Sequence, residues 1–151
     1  MIRKATISDC KEMQGLINFW AKKGRVLERS LNYLYENIRD FWVYTEKKKI
    51  VACCSLHVVG WQELAEIKSL TVAEKFQGKG IGIKLVKKCL EEAKSLGVKK
   101  IFALTFSPDF FKRLGFRKVD KKNLPHKIWS DCINCAEFPD CKEAALLLKI
   151  T

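Results

Sequence analysis

The chain has 151 residues, 48% of them hydrophobic, with 29 lysines and arginines against 17 acidic residues and a formal net charge of +12. That length supports one domain with a real core and is short for two, so residues 1–151 read as a single domain. No run approaches the roughly eighteen apolar residues of a membrane span, and the charged start, Met1-Ile2-Arg3-Lys4-Ala5-Thr6, lacks a signal-peptide core. A cytoplasmic protein with no membrane partner is expected. The seven cysteines are an odd number, and Cys10, Cys53, Cys54 and Cys89 fall inside apparent helices or strands, where thiols behave as small hydrophobes and a reducing compartment suits them.

The first strand is expected at Ile2 to Thr6, followed by Ser8 and Asp9 as N-caps, with Glu12 completing a capping box from Asp9. Met13, Leu16, Ile17, Trp20 and Ala21 make the apolar stripe of a first helix that Gly24 stops. A second helix follows Ser30, with Leu31, Leu34, Tyr35 and Ile38 on one face. Phe41 to Glu46 and Ile50 to Val59, rich in aromatic and β-branched residues, predict a hairpin around Lys47-Lys48-Lys49, and Leu64 to Val72 predicts a third strand beside it. Ile81, Leu85, Val86, Cys89, Leu90 and Ala93 recur at helical spacing up to Gly97. Then "VKKIFALT" suits a buried strand, "SPDFFKRLG" a short helix with Pro108 in its first turn, "FRKV" a strand, and Glu143 to Ile150 a last strand. The order is that of a mixed α/β domain without repeats or linkers.

The basic residues are dispersed over this plan. Lys47-Lys48-Lys49 forms the hairpin tip, Lys87 and Lys88 alternate with Glu91 and Glu92 on one helix, and Lys121-Lys122 sit in a loop. Solvated faces account for most of that charge, and a small polyanion suits it as well as a duplex does.

Between Val72 and the long helix lies Gln77-Gly78-Lys79-Gly80-Ile81-Gly82. The G-x-G-x-x-G dinucleotide fingerprint fails, because Ile83 or Leu85 stands where its last glycine belongs, and no glycine here is followed by Lys-Ser or Lys-Thr as a P-loop requires. What remains is the physics both share: small residues let backbone N–H groups approach an oxyanion closely at a helix N-terminus. A tight connection alone would need one glycine rather than three. The loop is expected to hold a phosphate.

This segment resembles the Q/R-x-x-G-x-G/A signature of the GCN5-related N-acetyltransferases, the GNAT superfamily, as "FFKRLGF" resembles its later short helix. The resemblance implies a mixed central sheet flanked by helices, with splayed strands at an acetyl-coenzyme A site bound by Leu70, Thr71, Val72, Gln77, Gly78, Lys79, Gly80, Ile81, Gly82 and Phe111. "GRVLERSLNYLYENIRDFWVYTEKKKIVACCSL", "AEIKSLTV", "IFALT" and the tail "LPHKIWSDCINC" resemble the short, single-domain N-acetylglutamate synthases, which acetylate the α-amino group of L-glutamate at the entry to arginine synthesis. Another amino acid or amine is the alternative acceptor, since relatives on this fold change acceptor easily.

Chemistry independently asks for a base, because an amine protonated near neutrality must lose a proton before attacking a thioester. Glu66, on the strand leading to the loop, holds the general-base position by resemblance, and backbone N–H groups of Leu70 to Val72 are placed to stabilise the thioester oxygen. In the pattern Y-x-x-x-G-F the usual tyrosine acid is Phe111 here, which has no hydroxyl. Thr105 is the candidate acid or relay, with local hydrogen bonding as its other reading. Arg29, with Leu27 nearby, matches the family's substrate-carboxylate arginine, and Lys68 and Lys127 are candidates for a second carboxylate.

Cys132, Cys135 and Cys141, with His126 ahead of them, form an allowed zinc ligand set inside a loop at residues 121–142, although a thiol cluster or an adventitious disulfide suits the same spacing. A basic metal- or nucleic-acid-binding module is the competing function class. The aromatic residues sit on apolar stripes rather than among the lysines, which favours small-molecule substrates and no nucleic acid. Homo-oligomerisation is compatible with the sequence.

Overall fold

The computed structural model describes residues 1–59, 63–124 and 143–150. Among them seven strands form one mixed sheet in the order β1-β2-β3-β4-β5-β7-β6. They are β1 (Ile2–Lys4), β2 (Phe41–Glu46), β3 (Lys49–Val59), β4 (Leu64–Val72), β5 (Lys100–Thr105), β6 (Arg117–Val119) and β7 (Ala144–Lys149). All neighbours are antiparallel except β4 and β5. The β2–β3 hairpin closes on Lys47 and Lys48, whose φ angles of 49° and 65° meet the demand of a two-residue turn for left-handed backbone at both positions.

Two groups of helices cover the sheet. The long helix α3 (Ile81–Ser95) buries Ile81, Leu85, Val86, Cys89 and Ala93 against Ala52, Cys54, Leu56, Ile67, Ile101 and Leu146. Its outer positions are polar, so the 3.6-residue period alone explains which face packs. Each such leucine stabilises the fold by about 1.5–3 kcal/mol. On the opposite face α1 (Cys10–Ala21) and α2 (Leu31–Glu36) bury Cys10, Met13, Ile17 and Leu34 against Phe41, Val43 and Cys53. A short α4 (Pro108–Lys112) brings Phe111 onto the α3 side, edge-on to Phe110 and Phe116. All four cysteines placed in elements by the sequence are buried.

Several local expectations need correction. β1 stops at Lys4 because Thr6 and Asp9 form the capping box instead: Thr6 N–H donates to the Asp9 carboxylate at 2.7 Å, and Arg3 grips the same carboxylate at 2.7 and 3.0 Å. Glu12 points elsewhere and accepts from Ile50 N–H at 3.1 Å. Tyr35 is exposed, and Ile38 lies beyond α2 in a 3-10 turn, Ile38–Asp40. Tyr33, on the turn capped by the Ser30 hydroxyl, faces inward in place of Tyr35, and Ile38 still packs against the same core. Lys88 pairs with Glu91 at 3.4 Å, whereas Glu92 is taken by Lys4 at 3.1 Å and by Trp42 Nε1 at 2.9 Å. Lys121 and Lys122 lie in a 3-10 turn whose N-cap is Asp120.

Candidate active site

The site begins where the sheet parts. The parallel ladder between β4 and β5 spans only Leu64–Glu66 against Lys100–Phe102, although β4 runs on to Val72 and β5 to Thr105. β5 keeps its other edge fully paired with β7. The two strands therefore diverge from Glu66 onward, and an open cleft of about 1340 Å³ lies along the divergence.

A β-bulge aims the backbone into that cleft. β3 and β4 pair as far as Ser55↔Lys68 and resume at Cys53↔Thr71, so Ser69 and Leu70 together oppose Cys54. Ser69 adopts a φ of 57° to accomplish this, at a cost of about 1–2 kcal/mol for a residue with a Cβ. Ala73 N–H donates to Val51 at 2.8 Å. By strand alternation Thr71 also turns its backbone toward β3, while Leu70 and Val72 turn theirs toward the gap. The Val72 carbonyl agrees, accepting from Trp20 Nε1 at 3.1 Å and from Gln77 Nε2 at 3.3 Å on the side away from β3. The Thr71 hydroxyl sits 3.3 Å from Cys53 Sγ, so its side chain too is engaged with β3. Burial pushes the Cys53 thiol up to about 12, and the Thr71 bond only partly offsets that. Cys54 is raised as well, first by its hydrogen bond with Cys89 and then by burial, so neither thiol is poised as a nucleophile.

The glycine loop closes one end. Gly78 and Gly80 have φ angles of 76° and 80°, and a Cβ on either would meet nothing within 4 Å. Conformation, not space, selects glycine there. Gly80 is also the N-cap of α3 and offers no side-chain cap, which leaves the first helical N–H groups facing the cleft mouth. Gly82 is different: its Cβ would lie 3.4 Å from the Phe110 ring, so here glycine permits the close approach of α3 to α4. Gln77, Gly78, Gly80, Ile81 and Gly82 line the cleft with Leu70, Thr71, Val72 and Phe111. Lys79 does not, since its ammonium lies over the Phe76 ring at 5.2 Å.

Toward the other end, Glu66 is 2% exposed and lines the cleft. Its cross-strand neighbours are His57 on β3 and Phe102 on β5, and His57 Nδ1 lies 2.7 Å from Asp40 Oδ2. Arg29 is 8% exposed on the same cleft, its guanidinium carbon 4.3 Å from the centre of the Tyr33 ring, and Lys68 Nζ lies 5.6 Å from that ring. The arrangement resembles a cation rack on an aromatic plate. Leu27 also lines the cleft. Thr105, at the end of β5, accepts from Ser107 N–H at 2.8 Å at the start of α4, which leaves its own hydroxyl proton available to donate.

Three contributors escaped the sequence reading. Asn18 Oδ1 accepts from Arg29 N–H at 3.0 Å, while Asn18 Nδ2 and Gln14 Nε2 both donate to the Arg29 carbonyl at 3.3 Å. Spacing of four on α1 was the available signal, but nothing in the sequence tied that polar pair to a loop a turn later. Tyr33 is the second, and Ser69, a buried residue of the cleft lining, is the third. Lys127 and the candidate zinc ligands His126, Cys132, Cys135 and Cys141 lie outside the described residues. Among the described residues no cluster of three metal-binding side chains occurs, and no helix is long and apolar enough to cross a membrane.

Comparison with known proteins agrees with this geometry. The profile of the Acetyltransferase (GNAT) family matches residues 9–116. An uncharacterized N-acetyltransferase of Chlorobaculum tepidum is 38% identical over 97% of this chain and 94% of its own length. An amino-acid acetyltransferase of Mycobacterium tuberculosis is 33% identical over 93% of this chain and 84% of its own. A Mycobacterium tuberculosis crystal structure in complex with CoA and NLQ superposes with a TM-score of 0.84 at 31% identity, covering 100% of this chain and 99% of that one. In fold alone, the N-acetylglutamate synthase of Neisseria gonorrhoeae complexed with coenzyme A and N-acetyl-glutamate superposes at a TM-score of 0.90 and 24% identity, over 100% of this chain and 35% of that one. With the family profile over most of its length and two such relatives above 30% identity, the chain belongs to the GNAT family as an N-acetyltransferase.

Proposed function

We propose that this cleft binds acetyl-coenzyme A and transfers its acetyl group to the α-amino group of L-glutamate, the entry step of arginine synthesis. The observation that carries this reading is the placing of a buried carboxylate, Glu66, and a buried guanidinium, Arg29, on one cleft between parted strands. The donor side fits: Gly78 and Gly80 curve the main chain so that the amides of Gly78 to Gly82 suit a pyrophosphate, and the Leu70 and Val72 amides suit the thioester arm. Glu66 takes the proton of the acceptor's ammonium. Arg29 grips a carboxylate, with Lys68 beside it and Leu27 shaping the wall. Thr105 gives the departing thiolate a proton, in place of the hydroxyl that Phe111 lacks. The relatives named amino-acid acetyltransferase support an amino acid as acceptor. The reading takes residues 1–151 as one catalytic domain working on small molecules in the cytoplasm.

A screen of free amino acids for thiol release from acetyl-coenzyme A tests the acceptor, with glutamate expected to be preferred. Glu66→Gln is expected to lower turnover roughly a hundredfold or more near neutrality, with a smaller loss at higher pH where the amine arrives deprotonated. Arg29→Ala is expected to raise the KM for glutamate roughly ten- to a hundredfold and to leave that for acetyl-coenzyme A alone, and lysine there recovers only part. Preference for an amine without a carboxylate removes glutamate and leaves the N-acetyltransferase.

A further inference from the structure

Ser69 combines three costly properties. Its φ of 57° is unfavourable for a residue with a Cβ. It is 7% exposed. Its Oγ, almost without solvent contact, makes no hydrogen bond. A buried hydroxyl ordinarily finds a partner, and candidates are close: neighbouring Ser55 Oγ reaches the Lys68 carbonyl at 2.9 Å, and Cys53 Sγ reaches the Ser69 carbonyl at 3.6 Å. The Ser69 hydroxyl makes no such bond, and Ser69 is among the residues that line the cleft. Strain and an unsatisfied polar atom at one residue, held there by a bulge in an otherwise paired strand, mark a group whose partner arrives with the substrate.

Its place along β4 says which partner. Glu66 lies three residues before it, and the Leu70 and Val72 amides that face the gap lie just after it. Ser69 stands between the carboxylate that receives the proton and the main chain that suits the thioester. We infer that Ser69 Oγ is a further substrate-contacting group, accepting a hydrogen bond from the acceptor's amino nitrogen and so aiming the nitrogen lone pair at the thioester carbon. The inference rests on the acceptor geometry proposed above. The hydroxyl makes and breaks no covalent bond: of the two protons the ammonium loses, one ends on the thiol and one passes to Glu66, while Ser69 keeps its own.

Stability and rate should then move in opposite directions. Ser69→Ala removes the unsatisfied oxygen, and Ser69→Gly also relieves the backbone. Without ligands both variants are expected to melt higher than wild type, by about 2–4 °C. Both are expected to lose roughly ten- to a hundredfold in kcat/KM for the acceptor, mostly in kcat, with the KM for acetyl-coenzyme A within about twofold. Turnover within about twofold of wild type in either variant overturns the inference, and so does a lower melting temperature in Ser69→Ala, which would mean that the hydroxyl is already satisfied in the free protein. Glu66→Gln assayed in parallel separates the two levels. If it is inactive while Ser69→Ala works normally, only the role of Ser69 falls. If it is fully active, the base assignment falls, and opposite changes in stability and rate at Ser69 still identify a substrate contact.

Discussion

Three glycines at alternate positions are kept for two different reasons, and substitution should separate them by sign. At Gly80 the φ of 80° is the constraint and the space around it is open. Alanine there forces a side chain into left-handed backbone at about 1–2 kcal/mol, which for a chain of this size lowers the melting temperature by about 2–8 °C. At Gly82, inside α3, the backbone is helical and alanine gains about 0.5–1 kcal/mol of helix preference. Its methyl sits 3.4 Å from Phe110 Cε2 and Cζ and 3.8 Å from Val72 Cγ2, so a shift of a few tenths of an ångström suffices and the fold is expected to be unharmed. Gly80→Asp adds charge as well: aspartate tolerates left-handed backbone, but a carboxylate about 5 Å from a phosphate costs about 3 kcal/mol at an effective dielectric of 20, roughly a hundredfold in Kd. The assay is thermal unfolding with and without acetyl-coenzyme A. A ligand at about a hundred times its Kd stabilises wild type by about 2.7 kcal/mol, an upward shift of about 5–10 °C. Gly80→Asp should nearly abolish that shift while still folding, and Gly82→Ala should melt at or above the wild-type temperature. A Gly80→Asp protein with the wild-type ligand shift refutes the phosphate cradle, and a Gly80→Ala protein as stable as wild type refutes the account of its backbone.

Removing Asn18 breaks two hydrogen bonds to the Arg29 main chain, so Asn18→Ala should raise the acceptor KM, and Asn18→Asp, which keeps the 3.0 Å acceptor of Arg29 N–H, should raise it less. Equal KM values in all three proteins would exclude the clamp. At the hairpin tip, Lys47→Asn with Lys48→Gly replaces two strained lysines by the residues that turn prefers and should add about 1 kcal/mol of stability by denaturant unfolding, without touching activity. Arg3, chiefly through its hydrogen bond, holds the Asp9 carboxyl below its ordinary value. Asp9 therefore contributes stability that is complete above about pH 4 and is lost as pH falls through the depressed value. The stability difference between wild type and Arg3→Ala should accordingly hold above about pH 4 and shrink as pH falls below it, and a difference that stays constant down to about pH 2 would count against the ion pair.

Legibility in the sequence followed the range of the interaction. Local periodicity located the β2–β3 hairpin, β4 and α3 within a residue or so, because alternation and helical spacing are properties of neighbours. The glycine loop was legible for the same reason. Which of two tyrosines on α2 turns inward was not, since Tyr33 is selected by Arg29 and Lys68 on other elements. Asn18 is an unremarkable helix asparagine until Arg29 arrives across from it. The bulge at Ser69 depends on the register of β3, and a strand-like run of residues carries no mark of where its partner slips. The insertion of β7 between β5 and β6 is a pairing over more than twenty residues, beyond any local pattern.

That insertion also dictates an order of assembly. The meander from β2 to β4 is made of neighbours in sequence and can pair as soon as it is synthesised, but β5 and β6 are separated by a gap that only β7, later than both, can fill. Until Ala144–Lys149 is in place, β5 offers the hydrogen-bonding edge of a strand carrying the apolar Ile101, Phe102 and Ala103 to whatever chain is nearby. A protein interrupted before β7 would be sticky rather than merely slow: nascent chains are protected from one another less by stability than by the arrival of six residues, and any change that delays their docking is paid in aggregation before it is seen in catalysis.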